Sequence, residues 1–444
     1  MARPRRKTRK TKFYEMSRKQ RLDFLKRFTG LSKEDLRTLR SGSLSFTAAN
    51  SMVENVIGTA PYPLGTATGF LINGKEYMVP MAIEEPSVIA AASKGAKMAG
   101  ARGGFAASAD PSVMMGQIQV VGLKDGDDAD DGPAGAGERI LAARERILEA
   151  ANAKSRTLSR IGAGAKDLSY RIVDTPERGG RMLIVELGID VKDAMGANVV
   201  NTMCEAVAPI IEELAGGRVL LRILSNYAAK RLARAEAVFG REELGGSDVV
   251  DGILLAYAFA AADQYRCTTH NKGVMNGIIA VANATGQDTR AIEAGAHSFA
   301  CRDGKYNPLT RWTRNAADDL VGSIELPLAV GTVGGASIHP VARTCLKILR
   351  VRSAQELACV MASVGLAQNL AALRALVTEG IQKGHMRLHA RHLAMMAGAD
   401  EMHVDAVAER ISGEKNVTLQ RARQVLRELR KKTATGKKKK KRRR

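Results

Sequence analysis

Apolar and polar positions change their spacing several times along the chain. Near the N-terminus, segments 17–28 and 32–40 carry apolar residues at helical spacing, and Gly30 between them is a typical helix stop. Asn73-Gly74 separates two strand-like runs, which predicts a hairpin with a type I′ turn. Glu84-Glu85-Pro86 then begins a helix of small residues, with the proline in its first turn.

Between residues 113 and 221, short apolar runs bounded by turn residues predict strands. Helices are predicted over 137–160 and from Gly196 to Gly216-Gly217, where a glycine pair is a typical end. The predicted strands are Gln117–Gly122, Tyr170–Val173, Met182–Val191 and Val219–Leu224.

Beyond residue 225 the chain is mostly helical and rich in alanine, with an interruption at Gly331–Gly335. Its longest strongly apolar stretch without charge, Leu357–Leu373, spans 17 residues and contains Gln368-Asn369. A membrane-spanning helix needs roughly 20 mostly apolar residues, so this stretch predicts a core helix and no membrane span. From about Gly384 the chain becomes a basic helical segment that ends in a Lys/Arg run.

These patterns predict an α+β architecture with three parts. A large, mainly helical domain takes residues 1–112 and 222–378 and begins with a basic arm. A small domain with an antiparallel sheet, 113–221, is inserted between its two halves. A C-terminal helical flap with a basic tail takes residues 379–444.

Composition indicates a globular protein whose charge is concentrated at its ends. Hydrophobic residues make up 45% of the sequence, and the formal net charge is +22. Seven Lys/Arg residues lie within 1–12 and ten within 431–444, so the body between them carries only about +5. Basic tails bind phosphate backbones without sequence specificity, which makes a nucleic-acid-binding protein the alternative from another class. With 4% aromatic residues and no recognisable nucleic-acid module, the body favours an enzyme with accessory tails.

Cysteine and histidine spacing argues against a metal site. The five cysteines are scattered and none forms a CxxC pair, so neither a disulfide framework nor a thiolate zinc site is predicted. No apolar run follows the basic N-terminus, so we expect a cytoplasmic protein without a secretory signal. His385, His389 and His392 share helical spacing, which keeps a metal site as an alternative, but no cysteine or HExxH accompanies them. We therefore expect no bound metal.

The strongest chemical signal lies in the segment Thr269–Gly277. It places Lys272 between glycines and amides in an otherwise small and apolar stretch, and Asp288 follows shortly after it. A solvated surface lysine needs no such setting, whereas a cation that stabilises a developing oxyanion does.

Six motifs together resemble the 3-hydroxy-3-methylglutaryl-CoA reductases, in particular the soluble class II enzymes of bacteria and archaea. All six occur in the order found in that family, and the resemblance runs from about residue 15 to 430. They are Glu54–Gly58, Glu84–Ser87, Asp193–Asn198, the Lys272 segment with Asp288, Gly331–Gly335 and His385–Arg391.

The resemblance implies an enzyme that reduces 3-hydroxy-3-methylglutaryl-CoA to mevalonate for isoprenoid biosynthesis. Two hydride transfers from a nicotinamide cofactor reduce the thioester, and coenzyme A is released. It also implies a homodimer with active sites at the interface. The same enzyme run oxidatively, in mevalonate breakdown, remains an alternative, because direction follows metabolite levels.

The catalytic roles follow from the same resemblance. Lys272 stabilises negative charge on the former carbonyl oxygen, Glu85 supplies the proton, and Asp288 holds Lys272 in place. His385 protonates the departing coenzyme A thiolate, a task that suits a side chain titrating near neutrality. Gly384 is the expected hinge of a flap that closes over the substrate.

Five polar residues are predicted to contact the acyl-CoA substrate. The guanidinium of Arg266 suits a carboxylate or a phosphate. For Gln368 and Asn369, the alternative is that their amides cap neighbouring backbone groups in a packed helix. The five are Ser87, Arg266, Asn271, Gln368 and Asn369.

Cofactor binding is predicted at two places in the small domain. No GxGxxG motif exists, so a Rossmann domain is not expected. The first place resembles the family's own dinucleotide motif, where a glycine lets the backbone approach the cofactor at a helix start. Its candidate residues are Asp193, Met195, Gly196, Ala197 and Asn198.

The second place concerns the choice between nicotinamide cofactors. In NADH-using relatives an aspartate binds the adenosine ribose, and Ser155 stands at that position here, followed by Arg156. Serine and arginine accept a 2′-phosphate that a carboxylate repels. We therefore expect NADPH as the preferred cofactor and NADH as the second choice. The alternative is that Lys154 and Arg156 are ordinary solvated helix residues.

Overall fold

A computed structural model describes most of the chain as helices around two sheets. The described residues are 11–42, 44–123, 132–175, 180–334, 338–378, 380–400, 402–414 and 417–441, without the side chains of 381–388 and 431–441. In this part of the chain the strands are β1 (Leu64–Ile72), β2 (Lys75–Ala82), β3 (Phe105–Ala109), β4 (Val113–Val121), β5 (Gly164–Thr175), β6 (Gly180–Asp190), β7 (Arg218–Leu224), β8 (Leu232–Phe239), β9 (Thr310–Arg314) and β10 (Leu320–Pro327).

The helices lie on the faces of these sheets and, at the C-terminus, against one another. The first group is α1 (Arg18–Thr29), α2 (Lys33–Ser41), α3 (Phe46–Met52), α4 (Val88–Gly100), α5 (Pro133–Ala142), α6 (Arg144–Asn152), α7 (Arg156–Arg160), α8 (Ala197–Ala215) and α9 (Arg241–Leu244). The second group is α10 (Ser247–Ala262), α11 (Gln264–Thr285), α12 (Thr289–Ala300), α13 (Pro340–Leu349), α14 (Ala354–Val377), α15 (Ile381–Met396), α16 (Val404–Ser412) and α17 (Leu419–Lys441).

The larger sheet has six strands in the order β2-β1-β3-β8-β10-β9. β1 and β3 pair in parallel, and the other neighbours pair antiparallel. Helices α4, α11 and α14 pack around this sheet, and its aromatic side chains stack in a row from strand to strand. The row is Phe70, Phe105, Phe239 and Trp312. Burial of these rings holds the strands together and gives α11 a rigid support.

The smaller sheet has four antiparallel strands in the order β5-β6-β4-β7. Along β4, fully buried residues alternate with partly buried ones, as the period-two packing of a strand requires. Helices α5, α6 and α8 cover the buried face and complete a separate hydrophobic core. An antiparallel sheet with helices on one face differs from the parallel, doubly covered sheet of a Rossmann fold, as predicted.

Local signals predicted the N-terminal elements well. Ser17 and Ser32 cap α1 and α2 through capping boxes, and Gly30 ends α1 in the left-handed conformation. Asn73 and Gly74 both have positive φ, of 48° and 76°, as a type I′ turn requires.

Three predictions about the elements were wrong. The region beyond residue 225 had been expected to be mostly helical, but it contains β8, β9 and β10. β8 pairs with the distant strands β3 and β10, and β9 forms a hairpin with β10. The helix predicted over 137–160 is broken into three short helices, α5, α6 and α7. Helix α4 begins at Val88 and not near Pro86, because Ser87 adopts a φ of 74° that a helix does not allow.

Helix α14 runs through the centre of the large sheet's core. Among the described residues it alone is long and apolar enough to cross a membrane by length and composition, yet 72% of its most apolar window is buried inside the protein. Its N-terminus is tied to β2, because Glu356 accepts hydrogen bonds from Lys75 and Tyr77, both at 2.6 Å. The core helix predicted from this stretch is therefore confirmed.

The C-terminal helices α15, α16 and α17 form a small hydrophobic core of their own. Its buried residues include Leu393, Val407, Ile411 and Val425. Residues 1–10 and 442–444 lie outside the described residues, whereas the backbone of the basic run from 431 to 441 continues α17.

Helix α2 is held against α13 by one buried carboxylate. Asp35 is 7% exposed, and its Oδ1 accepts a hydrogen bond from Lys347 Nζ at 2.7 Å. Burial raises the pKa of Asp35, but hydrogen bonds from Lys347 and Ser32 outweigh it and lower the pKa to about 2. The folded state therefore favours the ionised carboxylate.

Replacing Asp35 with asparagine is expected to lower the free energy of unfolding by on the order of 1–2 kcal/mol at pH 7. Because the folded pKa lies below the unfolded value, this stabilisation is present above about pH 4 and is lost as the pH falls towards 2. Thermal midpoints of wild type and D35N should therefore differ at pH 7 and converge below pH 4. D23N, which removes an exposed carboxylate from α1, is the control and should leave the midpoint unchanged. Equal midpoints for D35N and wild type at pH 7 would contradict the assignment.

Candidate active site

Lys272 and Glu85 meet in an ion pair although 187 residues separate them in sequence. Lys272 lies in the middle of α11, and Glu85 lies in the turn between β2 and α4. Lys272 Nζ donates a hydrogen bond to Glu85 Oε2 at 2.6 Å. Asn276, one turn after Lys272, donates to the same oxygen at 3.4 Å. The carboxylate thus has two donors from one helix face.

Buried neighbours fix the two elements that carry this pair. On α11, Val274 and Ile278 are fully buried against the large sheet, which turns Lys272 towards the opposite, open side. At the turn, Ile83 and Val88 are buried on either side of Glu85. The backbone that carries Glu85 is therefore fixed on both sides by buried side chains.

The ion pair remains open to solvent in a single chain. The Lys272 side chain is 59% exposed and that of Glu85 is 33% exposed. A pair this exposed contributes little to stability, roughly 0–1 kcal/mol. Stability therefore does not explain why the pair is held in this geometry. A chemical role does, because an ammonium group and a carboxyl group side by side can both interact with the carbonyl oxygen of a substrate.

Asp288 does not reach Lys272 in this structure. It caps the N-terminus of α12, accepting a hydrogen bond from the backbone N–H of Ala291 at 3.0 Å. Its carboxylate also pairs with Arg290 at 3.3 Å. Among the contacts between described residues, none joins Asp288 to Lys272.

His385 lies on α15, and its side chain is outside the described residues. His389 and His392 on the same helix are exposed. In the described part of the chain, no group of three or more histidine, cysteine, aspartate or glutamate side chains is arranged to hold a metal ion.

Two of the predicted substrate-contact residues are engaged inside the protein. Asn271 is fully buried and bonds through both amide atoms to the backbone of Asn307 and Leu309, at 3.0 and 2.9 Å. Asn369 Oδ1 accepts hydrogen bonds from Thr310 and Trp312, each at 2.9 Å. These amides position β9 and the segment before it. Asn369 bonds to side chains of β9 and not to the backbone of its own helix, so this is not the helix-backbone capping that the sequence offered as the alternative.

The other three predicted residues keep polar groups available. Ser87 is exposed at the start of α4, and its hydroxyl makes no capping hydrogen bond. Arg266 is partly exposed on the first turn of α11. Gln368 is 5% exposed, and its Oε1 has no hydrogen-bond partner among the described residues. A buried acceptor without a partner is unusual and favours contact with a ligand or water.

The candidate cofactor motif forms a tight corner before α8. Gly196 has a φ of 104° and is the N-cap of that helix. A Cβ at this glycine would come within 2.7 Å of Val191, so a larger residue does not fit. The corner leaves the first N–H groups of α8, from Ala197 and Asn198 onwards, at a helix N-terminus that favours an anion.

Asp193 ties this corner to the large domain. Its side chain accepts a hydrogen bond from the backbone N–H of Ala354 at 2.8 Å, at the start of α14. Its carbonyl accepts one from Thr332 at 2.8 Å. Through these two hydrogen bonds, Asp193 links the corner before α8 to the large domain.

Arg231 is a buried cation at the same corner that the sequence did not reveal. It is 4% exposed and donates to the carbonyls of Ala194 and Met195, both at 3.2 Å, and to that of Val330. Burial lowers the pKa of Arg231 to about 10, so it remains charged at neutral pH. The sequence around Arg231 could not predict this role, because the carbonyl groups it binds belong to two loops that are distant in sequence.

Asn276 was also missed, although a signal for it exists. It stands four residues after Lys272, and residues at this spacing share one face of a helix. Once Lys272 is singled out, that spacing places Asn276 beside it.

Arg156 lines an open cleft in the small domain, and Ser155 precedes it in the chain. Ser155 caps α7, and its Oγ accepts a hydrogen bond from the N–H of Leu158 at 3.4 Å. Arg156 is exposed and lines a cleft of about 760 Å³, together with Arg160 and Lys166. A cleft of this size holds a small-molecule ligand. It lies on the small domain, and neither Lys272 nor Glu85 lines it.

An ammonium group that faces a carbonyl oxygen serves an enzyme that adds hydride to the carbonyl carbon, and a nicotinamide cofactor supplies hydride. The ion pair and a small antiparallel-sheet domain that is not a Rossmann fold suit such an enzyme, and the class itself, an NAD(P)-dependent oxidoreductase, follows from the family that the chain matches. The family model for hydroxymethylglutaryl-coenzyme A reductase matches residues 17–390. The chain belongs to this family.

Individual relatives agree with this membership. The chain is 54% identical over 419 residues to the 3-hydroxy-3-methylglutaryl-coenzyme A reductase of Archaeoglobus fulgidus, covering 94% of each chain. It is similar to the solved structure of the reductase from Streptococcus pneumoniae, with a TM-score of 0.78, 41% identity and coverage of 94% of this chain and 99% of the other. A structure of the class II enzyme from Streptococcus pneumoniae, bound to NADPH in open conformations, matches with a TM-score of 0.77 and 42% identity, covering 94% and 100% of the two chains. The class II resemblance read from the motifs is confirmed.

Proposed function

We propose that this reductase converts 3-hydroxy-3-methylglutaryl-CoA to mevalonate with Lys272 as the electrostatic catalyst and Glu85 as the proton donor. The observation that carries this proposal is the 2.6 Å contact between Lys272 Nζ and Glu85 Oε2 on the open side of α11. Each hydride transfer places negative charge on the former carbonyl oxygen. An ammonium group held there stabilises that charge by roughly 3–4 kcal/mol, as a single well-placed donor does.

Protons are needed at each stage of the two reductions. The first hydride converts the thioester to a hemithioacetal, which breaks down to an aldehyde and the coenzyme A thiolate. The second hydride reduces the aldehyde to the alcohol of mevalonate. Glu85 is within reach of the oxygen that Lys272 faces, and Asn276 keeps its carboxyl group oriented. In sum, two NADPH and two protons are consumed for each mevalonate and coenzyme A formed.

Asp288 and His385 complete the proposed chemistry. We assign His385 to protonation of the coenzyme A thiolate, because a group that titrates near neutral pH suits this leaving group. Its place on α15, in a helical segment with its own small core, supports closure of that segment over the substrate. Asp288 retains its proposed role beside Lys272 in the substrate-bound enzyme.

The acyl-CoA is proposed to lie along the open side of α11. Arg266 offers a guanidinium for its carboxylate or phosphates, and Ser87 offers a free hydroxyl near Glu85. The buried acceptor of Gln368 is a further contact. In this proposal Asn271 and Asn369 act indirectly, because their amide groups hold β9 and the segment before it in place.

NADPH is the proposed cofactor, bound between the corner at Gly196 and the region of Ser155 and Arg156. Ser155 replaces a carboxylate that would repel a 2′-phosphate. The cleft nearby is lined by three cations, Arg156, Arg160 and Lys166, and by two carboxylates, Glu145 and Glu149, so its charge balance is positive. The NADPH-bound relative from Streptococcus pneumoniae supports the same choice.

The test of this function is the oxidation of NADPH, followed at 340 nm, with 3-hydroxy-3-methylglutaryl-CoA as substrate. We expect two NADPH per mevalonate and a kcat/KM for NADPH at least tenfold above that for NADH. S155D should reverse part of this preference, since a carboxylate there repels the 2′-phosphate and accepts the ribose hydroxyls. E138D, a conservative change on α5 of the same domain, is the control. Equal kcat/KM values for the two cofactors in wild type would refute the cofactor assignment.

A homodimer with the active site at the subunit interface is proposed as well. The Lys272–Glu85 pair is open to solvent in one chain, and apolar side chains before β1 are exposed. Exposed apolar residues in one region of a soluble enzyme are typical of a subunit interface. They are Phe46, Val53, Ile57 and Tyr62.

We propose that the chain acts in the cytoplasm in the direction of mevalonate synthesis, a direction that NADPH use favours. The division into 1–112 with 222–378, 113–221 and 379–444 is proposed for its domains. Three of the five hydrophobic clusters follow this division, except that Ala228 and Ala329 pack in the small domain's cluster. Contact with nucleic acid is limited in this proposal to non-specific binding by the basic tails.

A further inference from the structure

Glycines inside the helices are almost all explained by close packing. Beyond the first and last turns of helices whose side chains the structure describes, each glycine except Gly273 leaves no room for a methyl group. A Cβ added at any of these would lie 3.1 Å or less from a neighbouring heavy atom. They are Gly95, Gly137, Gly252, Gly277, Gly295 and Gly365.

Gly273 is the exception on α11. A Cβ added there would meet no heavy atom within 4 Å, so nothing in the described chain requires a glycine. Glycine in the middle of a helix is less favourable than alanine, because it has more conformational freedom to lose on folding. The position therefore lowers stability without any gain in packing, which is the pattern of a residue kept for function.

The empty space above Gly273 lies next to the Lys272–Glu85 ion pair. Gly273 follows Lys272 directly, and Asn276, three residues further on, touches Glu85. Residues three apart are neighbours on a helix surface. The space above Gly273 therefore opens beside the place where the carbonyl oxygen is proposed to sit.

Arg266 extends the same face in the other direction. It lies seven residues before Gly273, which is two helical turns or roughly 10 Å along the axis. Side chains on a helix tilt towards its N-terminus, so the space left by Gly273 lies over the preceding turn, on the Arg266 side of Lys272. An acyl chain with its carboxylate near Arg266 and its thioester near Lys272 would pass this space. A substituent on the middle of that chain would occupy the space that a side chain would otherwise fill.

We propose that Gly273 determines acyl-chain specificity: its missing side chain accommodates the C3 methyl branch of the substrate. The inference rests on the proposed function, because it requires the acyl chain to lie between Arg266 and Lys272. Gly273 is a specificity residue by shape alone, and it provides no chemical group to the reaction.

The test compares G273A with wild type on two substrates, 3-hydroxy-3-methylglutaryl-CoA and 3-hydroxyglutaryl-CoA, which lacks the methyl branch. We expect kcat/KM for the branched substrate to fall at least tenfold, mainly through KM, since one misfitting methyl group changes discrimination by roughly 10–200-fold. The value for the unbranched substrate should change less than threefold. KM for NADPH should stay the same, and the thermal midpoint should be unchanged or about one degree higher.

Two control variants separate this effect from damage to the helix. G100A adds a methyl at the last residue of α4, where only ordinary contact results, and should leave both substrates unaffected. G277A places a Cβ 3.0 Å from Gln368 and should lower the thermal midpoint. G273A is expected to resemble G100A in stability and to differ from it in specificity.

An equal loss of kcat/KM on both substrates would overturn the proposal, because it would indicate displacement of Lys272. So would unchanged kinetics on both. Conversion of G273A to a smaller oligomer in analytical ultracentrifugation would overturn it too, because a partner subunit would then fill the space. If wild type turned over neither substrate, the proposed function itself would fail before Gly273 was tested.

Discussion

K272M should reduce kcat by at least a hundredfold while the protein remains folded. Loss of one donor that stabilises an oxyanion costs roughly 10²–10³ in kcat. Methionine keeps the length of the side chain and removes its charge. The measurement is steady-state NADPH oxidation at saturating 3-hydroxy-3-methylglutaryl-CoA.

The thermal midpoint of K272M distinguishes a loss of catalysis from a folding defect. Because the Lys272 side chain is 59% exposed, its ion pair with Glu85 contributes little to folding, and the thermal midpoint should stay within about one degree. R146M is a matched control, since it removes a cation from an ion pair of comparable exposure, that of Arg146 with Glu213. It should retain full turnover. A K272M enzyme within threefold of the wild-type kcat would remove the basis of the proposed mechanism.

R231M is expected to weaken cofactor binding indirectly, because Arg231 positions the corner before α8 and does not itself contact the cofactor. The buried guanidinium joins the carbonyls of Ala194 and Met195, in the corner before α8, to that of Val330. Without it, three carbonyls lose a charged donor, each such bond being worth roughly 1.5–3 kcal/mol. We expect KM for NADPH to rise at least tenfold and the thermal midpoint to fall by several degrees.

The control for this prediction is Arg234, which lies on β8, three residues after Arg231. Arg234 forms partly exposed ion pairs with Asp110 and Glu325 and does not contact the corner. R234M should lower the thermal midpoint by less and leave KM for NADPH unchanged. KM for the acyl-CoA should be near the wild-type value in both variants. If R231M loses stability without any rise in KM for NADPH, then Arg231 supports the fold and does not position the cofactor corner.

Local sequence patterns predicted the elements whose signals are complete within a few residues. The capped helices α1 and α2, the Asn73-Gly74 hairpin and the glycine corner at Gly196 all depend on backbone groups that neighbouring residues satisfy. The strands of the small sheet were found for the same reason, although β5 extends further than predicted. Pairing with a neighbouring strand decided where β5 ends.

The large sheet could not be predicted in this way. Strands β8, β9 and β10 are short segments in a region rich in alanine and helices, and their sequences do not require a strand. β8 becomes a strand because distant partners accept its backbone hydrogen bonds, for example where Phe105 on β3 lies opposite Ala237 on β8. β10 then pairs with β8, and β9 pairs with β10 in a hairpin at the sheet edge. The pairing of β3 with β8 depends on register across more than a hundred residues.

The sequence by itself determined which side chains are available for chemistry: a lysine among small residues, a glutamate before a helix of small residues and a serine where a carboxylate would select NADH. Only the tertiary structure decided how these groups meet. It brought Lys272 and Glu85 together, placed Arg231 beneath the cofactor corner, turned Asp288 into a helix cap and left the space above Gly273 empty. The physical reason is that capping and turn signals act over a few residues, whereas distances between side chains depend on how whole helices and sheets pack.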